Sequence, residues 1–322
     1  LPGRGVRAIE QDRDGSLWLG VQEGGGLVRF DPERGVQQRY QPGAIGERHL
    51  PSDRVQAITR DRDGSLWVGF ADAGLVRRRS GQTGFERIDD GADARAASRR
   101  GNVLALYADR GGTLWVGYQD QGLDALCRGC DRFRHYTHAA RARDGLPGQS
   151  IGVVFEDAQG GLWVGARPGG LARLDRRSGR FTPLADLLDR PSSAVPPTVT
   201  TITQSRRGEL WVGTQGSGLV RLSPVGSGRY RLTAYTHKQG LAAEAIGSII
   251  EDARGALWIS TTLGVSRLDP VSGRIENFSA RAGVQQGYFV DAGMALADGR
   301  IAFGGLRGLT LFDPGDVAAH VP

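Results

Sequence analysis

Three observations predict an all-β chain folded as a single seven-bladed ring. All six tryptophans recur in one short motif. They stand at Trp18, Trp67, Trp115, Trp163, Trp211 and Trp258, separated by 49, 48, 48, 48 and 47 residues. Around each, four short apolar segments are punctuated by Gly, Asp and Ser, the signature of strands and tight turns, and no stretch carries a sustained helical period. A seventh, degraded copy follows the six, with Ala302 in the tryptophan slot. Four antiparallel strands repeated at this interval describe a propeller blade, and seven blades close one ring over residues 1–322.

The elements of one unit follow in order. An apolar stretch begins six residues before an Asp: Val6 before Asp12, Val55 before Asp61, Val103 before Asp109, Ile151 before Asp157, Ile246 before Asp252. This is the innermost strand. In the fifth unit Val199 keeps its place, but Ser205 stands where the Asp belongs. The Asp and a following Gly form the first turn, because Asp bonds the backbone two residues on and Gly accepts positive φ. Gly-x-Leu-Trp-Val/Leu/Ile supplies the second strand, and Gly-Leu-x-Arg-Phe/Leu-Asp the third, as in Gly26 to Asp31 and Gly170 to Asp175. An aromatic-rich piece closes the unit, as in Phe133 to Tyr136 and Tyr230 to Tyr235. In the seventh copy Ile301 to Gly304 and Gly308 to Asp313 supply two strands, while the tail 314–322 has no strand pattern, so the last blade is expected to be degenerate: either three-stranded, or closed by a strand from before Leu1 or from the tail. A wide loop, 184–198, precedes the fifth unit.

Each tryptophan lies mid-strand in a blade covered on both faces, so all six are expected in the core between blades and none in a ligand-stacking role.

The unit resembles the two-component regulator propeller repeat. Asp144-Gly145-Leu146-Pro147, before the fourth blade, is similar to a linker common in that family, and Phe303 to Pro314 to its terminal repeat. Members of the family are mostly extracytoplasmic sensor regions of membrane-bound histidine kinases, hybrid regulators or diguanylate cyclases, and some sense oligosaccharides. The resemblance implies a periplasmic sensor domain of a membrane-tethered receptor that binds a small molecule or oligosaccharide. The domain itself is then not an enzyme, and a catalytic output domain is expected elsewhere in the full-length protein. A homodimer formed through the receptor is compatible with this reading, and no cofactor is implied. The chain begins at Leu1 rather than Met and is read as a piece of a longer protein.

The charge balance does not redirect this reading. Net charge is +6 and the isoelectric point about 9.8. Lys238 is the only lysine, and the arginines are spread over every blade without a basic stripe interleaved with aromatics, so no nucleic-acid partner is expected. No apolar run approaches the roughly 20 residues of a membrane span.

Candidate ligand-binding residues lie where the units differ, in the loops between second and third strands and in the links between blades. Those loops are 21–25, 71–73, 118–121, 166–169, 214–217, 261–263 and 306–307. Their polar and aromatic members, expected to face the central funnel, are Gln22, Glu23, Tyr118, Gln119, Asp120, Arg167, Gln215, Thr262 and Arg307, and the blade links add Arg48, His49 and Tyr288. Such a mix offers ring faces for sugars and side-chain forks for hydroxyls. Cys127 and Cys130 stand in a hairpin turn, where a disulfide, free thiols and a metal site with His135 and His138 are all to be weighed; a disulfide implies an oxidising compartment. No metal site is expected. Asp12-Arg13-Asp14-Gly15 and Asp61-Arg62-Asp63-Gly64 faintly resemble calcium loops but lack the later ligands. Two other functions remain open. One is a protein-docking propeller of the envelope. The other is a propeller lyase, which needs His or metal convergence on the funnel, with His49 and His237 as starting points.

Overall fold

A computed structural model describes residues 5–46, 49–88, 101–138, 145–279 and 283–318. Within them the chain forms seven antiparallel sheets, each meandering outward from an inner strand. The inner strands are Val6–Gln11, Val55–Arg60, Val103–Ala108, Ile151–Glu156, Val199–Gln204, Ile246–Glu251 and Tyr288–Ala295. Each packs against the next, and the seventh returns to the first, so the blades close a ring around a central channel. Blades two to six have four strands. Blade one adds the short parallel strand His49–Leu50 outside its fourth. Blade seven has three strands, and the five-residue helix Pro314–Ala318 follows its last. That helix was not legible in the sequence, nor was the turn of helix Leu184–Leu187 in the wide loop before blade five. The latter sinks Leu184 and Leu188 between blades four and five.

The tryptophans are 0–4% exposed, and each packs into the interface with a neighbouring blade. Trp18 of blade one lies among Leu50, Val55, Ile58 and Phe70 of blade two and its link. A ring from an outer strand adds an aromatic contact: Tyr40 on Trp18 at 5.6 Å, Tyr136 on Trp115 at 5.9 Å, Phe278 on Trp258 at 5.6 Å. The repeat arginine covers the other side. Arg29, Arg77, Arg173, Arg221 and Arg267 lie directly across the strand pair from their own tryptophans, with guanidinium carbons 5.1–5.8 Å from the ring centroids. In blade three Ala125 occupies that position, and Arg176 of blade four reaches over Trp115 instead. Each of the six tryptophans is therefore paired with a guanidinium, from its own blade or the next.

The Asp of the repeat does more than make a turn. Its Oδ2 accepts the indole N–H six residues on: Asp12 from Trp18 at 2.9 Å, Asp61 from Trp67 at 2.7 Å, and Asp109, Asp157 and Asp252 from their tryptophans at 2.8 Å. In four of the five, Oδ1 caps the backbone N–H four residues on, closing the turn at the positive-φ Gly. One carboxylate thus ties the turn to the inter-blade core. Blade five lacks it. With Ser205 in the Asp position, the Trp211 Nε1 is buried without a partner, as is the Ser205 hydroxyl. Glu209 bonds Arg221 through one oxygen and leaves the other buried and unpaired. Replacing the pair by the blade-one pattern, Ser205→Asp with Glu209→Ser, should restore the indole acceptor. An unsatisfied buried donor costs about 1–3 kcal/mol. The double variant is therefore expected to melt about 2–3 °C higher in calorimetry, at the roughly 1.5 °C per kcal/mol this length implies. An unchanged or lower midpoint would count against the role given to the carboxylate.

The Gly after Leu-Trp-Val sets the ring's spacing. A Cβ on Gly20 would sit 2.7 Å from Val55 of the next blade, on Gly165 2.9 Å from Val199, and on Gly213 2.8 Å from Ile246. In these blades the missing side chain lets the second strand approach the next blade's inner strand this closely. Cys127 and Cys130 are disulfide-bonded across their hairpin, with Cα atoms 5.3 Å apart.

Candidate functional site

The repeat positions one residue per blade at the channel mouth. In the first six blades the register between inner and second strands slips by one residue near the top, as at Val6/Ala8, Val55/Ala57 and Ile151/Val153. A bulge of this kind re-aims a side chain and bends the strand. The bulge residues are Arg7, Gln56, Leu104, Gly152, Thr200 and Gly247; unlike the strands around them, they follow no repeat.

Blade seven breaks the pattern. Tyr288 pairs with Gly305 and Gly293 with Phe303, so four residues, 289–292, stand against Gly304 alone. This large bulge carries Phe289 and Asp291. Asp291 adopts φ +56, a left-handed conformation seldom taken by residues other than Gly, Asn and Asp. It crosses the small residues of blade six, Gly247 and Ser248, and reaches blade five, where the Thr201 hydroxyl donates to its Oδ1 at 3.2 Å. Asp291 is open to solvent yet enclosed by protein, as befits a side chain in a water-filled channel.

Two guanidiniums share that space. Arg7 donates from Nε to Gln56 Oε1 at 2.7 Å, and its guanidinium carbon lies 5.4 Å from the Phe289 ring centroid, which joins blades seven, one and two. Arg167, from the loop after blade four's second strand, turns inward over Gly152. A Cβ there would lie 2.6 Å from its guanidinium carbon, so the glycine makes room for the arginine. Arg167 donates to the carbonyls of Val199 at 3.2 Å, and of Gly152 and Thr200 at 3.4 Å. Burial lowers the pKa of Arg7, with partial relief from Asp291. Burial and then repulsion from Arg7 bring Arg167 to about 10, again partly offset by Asp291. Burial raises Asp291 against the pull of Arg167, Thr201 and Arg7. The three groups feel one another electrostatically, and neither arginine forms a direct ion pair with Asp291 at 4 Å or less. The buried Thr200 hydroxyl beside them has no partner.

The sequence-chosen residues fall into three groups. Among the described ones, Arg167 alone enters the channel. Gln22, Glu23, Gln119, Asp120, Gln215, Thr262 and Arg307 lie on the rim above it. Gln22 and Glu23 border a polar hollow of about 420 Å³ with Asp53 and Arg54. Asp120, at φ +60, accepts from Ser150 at 2.7 Å, and Gln119 accepts from Asn102 at 2.8 Å. Gln215 bridges to Ala245, Thr262 N–H bonds the Ala245 carbonyl, and Arg307 N–H bonds Gln285. Three expectations are corrected. Tyr118 is 5% exposed and Tyr288 7%, so neither faces the funnel. The second strand of blade three runs through Tyr118, which faces the core with Val103 and Val116. Tyr288 opens blade seven's inner strand and packs on Phe303, its hydroxyl 3.2 Å from that of Thr310. His49 pairs beside the outermost strand of blade one, away from the mouth. Arg48 and Asp144 lie outside the described residues. His237 bonds Glu244 in a blade link, and His135 and His138 sit on or after an outer strand, bonding Asp124 and the Leu146 carbonyl.

Arg7, Gln56, Thr200, Thr201, Phe289 and Asp291 escaped sequence reasoning. One signal was present. From the first inner-strand residue to the turn glycine is nine residues in blade one, Val6 to Gly15, and eleven in blade seven, Tyr288 to Gly299. The two additional residues are the enlarged bulge.

A seven-bladed propeller with regularly repeating blades and an irregular, charged channel mouth is the class of protein defined here. The family model described as two component regulator propeller matches residues 1–23, 49–72 and 145–167. No curated protein matches the chain. Among solved structures, it is similar to the extracellular domain described as that of hybrid two component system BT3049 from B. thetaiotaomicron, with TM-score 0.83 and 22% identity over 99% of this chain. It is also similar to the extracellular domain of BT4673 from the same organism, with TM-score 0.71 and 19% identity over 97% of this chain. The chain spans 40% of the length of each. Virginiamycin B lyase from Staphylococcus aureus aligns at TM-score 0.66 and 14% identity, over 96% of both chains. At these identities the likeness shows the fold alone.

Proposed function

We propose that this domain is the extracytoplasmic sensing part of a membrane-tethered signalling receptor and captures a small molecule or oligosaccharide at the channel mouth. One observation carries the reading. The ring repeats almost everywhere except at its inner rim, where a left-handed Asp, two mutually repelling guanidiniums and an unpartnered hydroxyl are gathered in a solvated channel. Such features weaken a fold and cluster at binding and catalytic sites. The propeller repeats and the likeness to extracellular domains of two-component systems support the extracytoplasmic placement. The Cys127–Cys130 disulfide suits the same compartment. Ligand capture then shifts a pre-existing equilibrium between channel conformations and so the state of the output domain. The lyase reading finds less support, because the described histidines sit in blade links and on or after outer strands, away from the inner strands.

A thermal-shift screen against oligosaccharides, amino acids and organic acids tests the proposal. A ligand at 100 times its Kd stabilises by about 2.7 kcal/mol, which is roughly 4 °C for a chain of this size. A dose-dependent rise that Arg167→Ala abolishes, relative to that variant's own baseline, is the expected result. A panel that leaves the midpoint unmoved would shift weight to the docking reading.

A further inference from the structure

The chemistry of the channel says what kind of group it receives, and this inference rests on the sensor reading above. Arg7 is held by a single bond from Nε, which leaves its two terminal nitrogens without a protein partner, and Arg167 likewise keeps Nη1 unused. Both approach the channel from opposite sides of the ring, blades one and four. Each is fixed by a neighbour that does not neutralise it: a Gln side chain, a ring face, three carbonyls. The free planar fork of Arg7 matches a carboxylate, which accepts two parallel bonds from one guanidinium, and Arg167 adds a further charged donor through Nη1. The anion now balancing them is Asp291. It stands on the enlarged bulge in a left-handed conformation, and its own bond is to Thr201 rather than to either arginine. An internal carboxylate that faces two guanidiniums without closing on them occupies the place of an external one.

We propose that the channel binds its ligand through a carboxylate, which Arg7 and Arg167 receive in the space that Asp291 now fills. The ligand is then an acidic saccharide or an organic acid, and the Asp291 bulge is the segment displaced when it enters. Because the bulge belongs to blade seven's inner strand, its displacement alters that strand's packing on blades five and six.

The test uses the full domain and three sets of probes at matched ionic strength: galacturonate and glucuronate oligosaccharides, their neutral galactose and glucose counterparts, and citrate, malonate and tartrate, with sodium chloride as the control. Midpoint shifts and calorimetric titration are read on the wild type, Arg7→Gln and Asp291→Asn. The expected result is binding by a carboxylate-bearing probe at least tenfold tighter than by its neutral counterpart. Arg7→Gln should reduce affinity for the acidic probe about tenfold. Asp291→Asn, which removes the competing charge, should raise it several-fold, an effect that a merely structural Asp would not produce. The arms separate the two sources, since saccharides and simple acids are scored apart. If a neutral sugar binds as well as its acid, and Arg7→Gln changes nothing, this proposal falls while the sensor reading stands. If no probe of any set moves the midpoint beyond the chloride control, this proposal falls, and the sensor reading is decided by the broader screen.

Discussion

Replacing Asp109 by Ala should lower stability by about 3–5 kcal/mol, or the melting midpoint by on the order of 5–8 °C. Three bonds end on this carboxylate. Oδ2 accepts from the Trp115 indole at 2.8 Å and from Arg176 at 2.7 Å, and Oδ1 accepts from the Thr113 amide at 2.8 Å. Its side chain is fully buried. The deletion leaves an indole N–H and a backbone N–H without acceptors, and costs Arg176 one of its two carboxylate partners, the other being Glu156. It also loosens one tie between blades three and four, because Arg176 of blade four crosses to Trp115 of blade three. Burial opposes ionisation of Asp109, but the Trp115, Thr113 and Arg176 bonds outweigh it and hold the pKa below the ordinary value. The sign follows. A carboxylate with a depressed folded pKa contributes its stability above the unfolded pKa, near 4, and loses it as pH falls through the folded value. The deficit of Asp109→Ala should therefore be full at neutral pH and shrink below about pH 4. A deficit under about 1 kcal/mol at pH 7 would show that the Asp–Trp link is not the device that locks the blades.

The second large effect has the opposite sign. Glu10 lies on blade one's inner strand, paired across from Trp18 and facing Arg60 of blade two and Asp12 of its own turn. Burial, opposed by Arg60 and reinforced by Asp12, pushes its carboxyl up to about 7. Arg60 is already committed, since its Nη2 bonds Asp12 at 2.7 Å, so it does not neutralise Glu10. A carboxyl with a raised folded pKa stabilises fully below its unfolded pKa, near 4.5, and that contribution is lost as pH rises through 7. Glu10→Gln removes the loss. The variant and the wild type should melt together near pH 4 and diverge above pH 5. By pH 8 the variant should be more stable by about 2–3 kcal/mol, roughly 3–5 °C. A difference that is constant across the range, or of the other sign, would contradict the assignment.

The fold was legible because the repeat is strict where packing demands it. The 48-residue spacing, the Trp in a strand covered on both faces, and the turn Asp and Gly all follow from one blade stacking on the next. Even the irregularity at Ser205 was visible, although its consequence, an orphaned Trp211 indole, needed the six-residue geometry from Asp to Trp. The site was legible only in part. Variable loops pointed to Arg167, which does enter the channel. They also pointed to Tyr118 and Tyr288, because a strand's last or first residue cannot be told from a loop residue by type alone. Arg7 and Asp291 are aimed by bulges, and a bulge is a property of pairing between strands, which residue type on one strand does not display.

The account rests on the channel mouth being where a ligand is sensed, and hydrogen–deuterium exchange measures this most directly. The ligand giving the largest thermal shift is added at saturation, and amide protection is compared with the free domain. The account predicts protection concentrated at the tops of the inner strands, in residues 5–8, 55–57, 151–153, 199–202 and 288–293, with the largest change in the blade-seven bulge. Protection confined to the outer strands or to the Asp-Gly turns at the opposite end of the channel, with 288–293 unchanged, would contradict it.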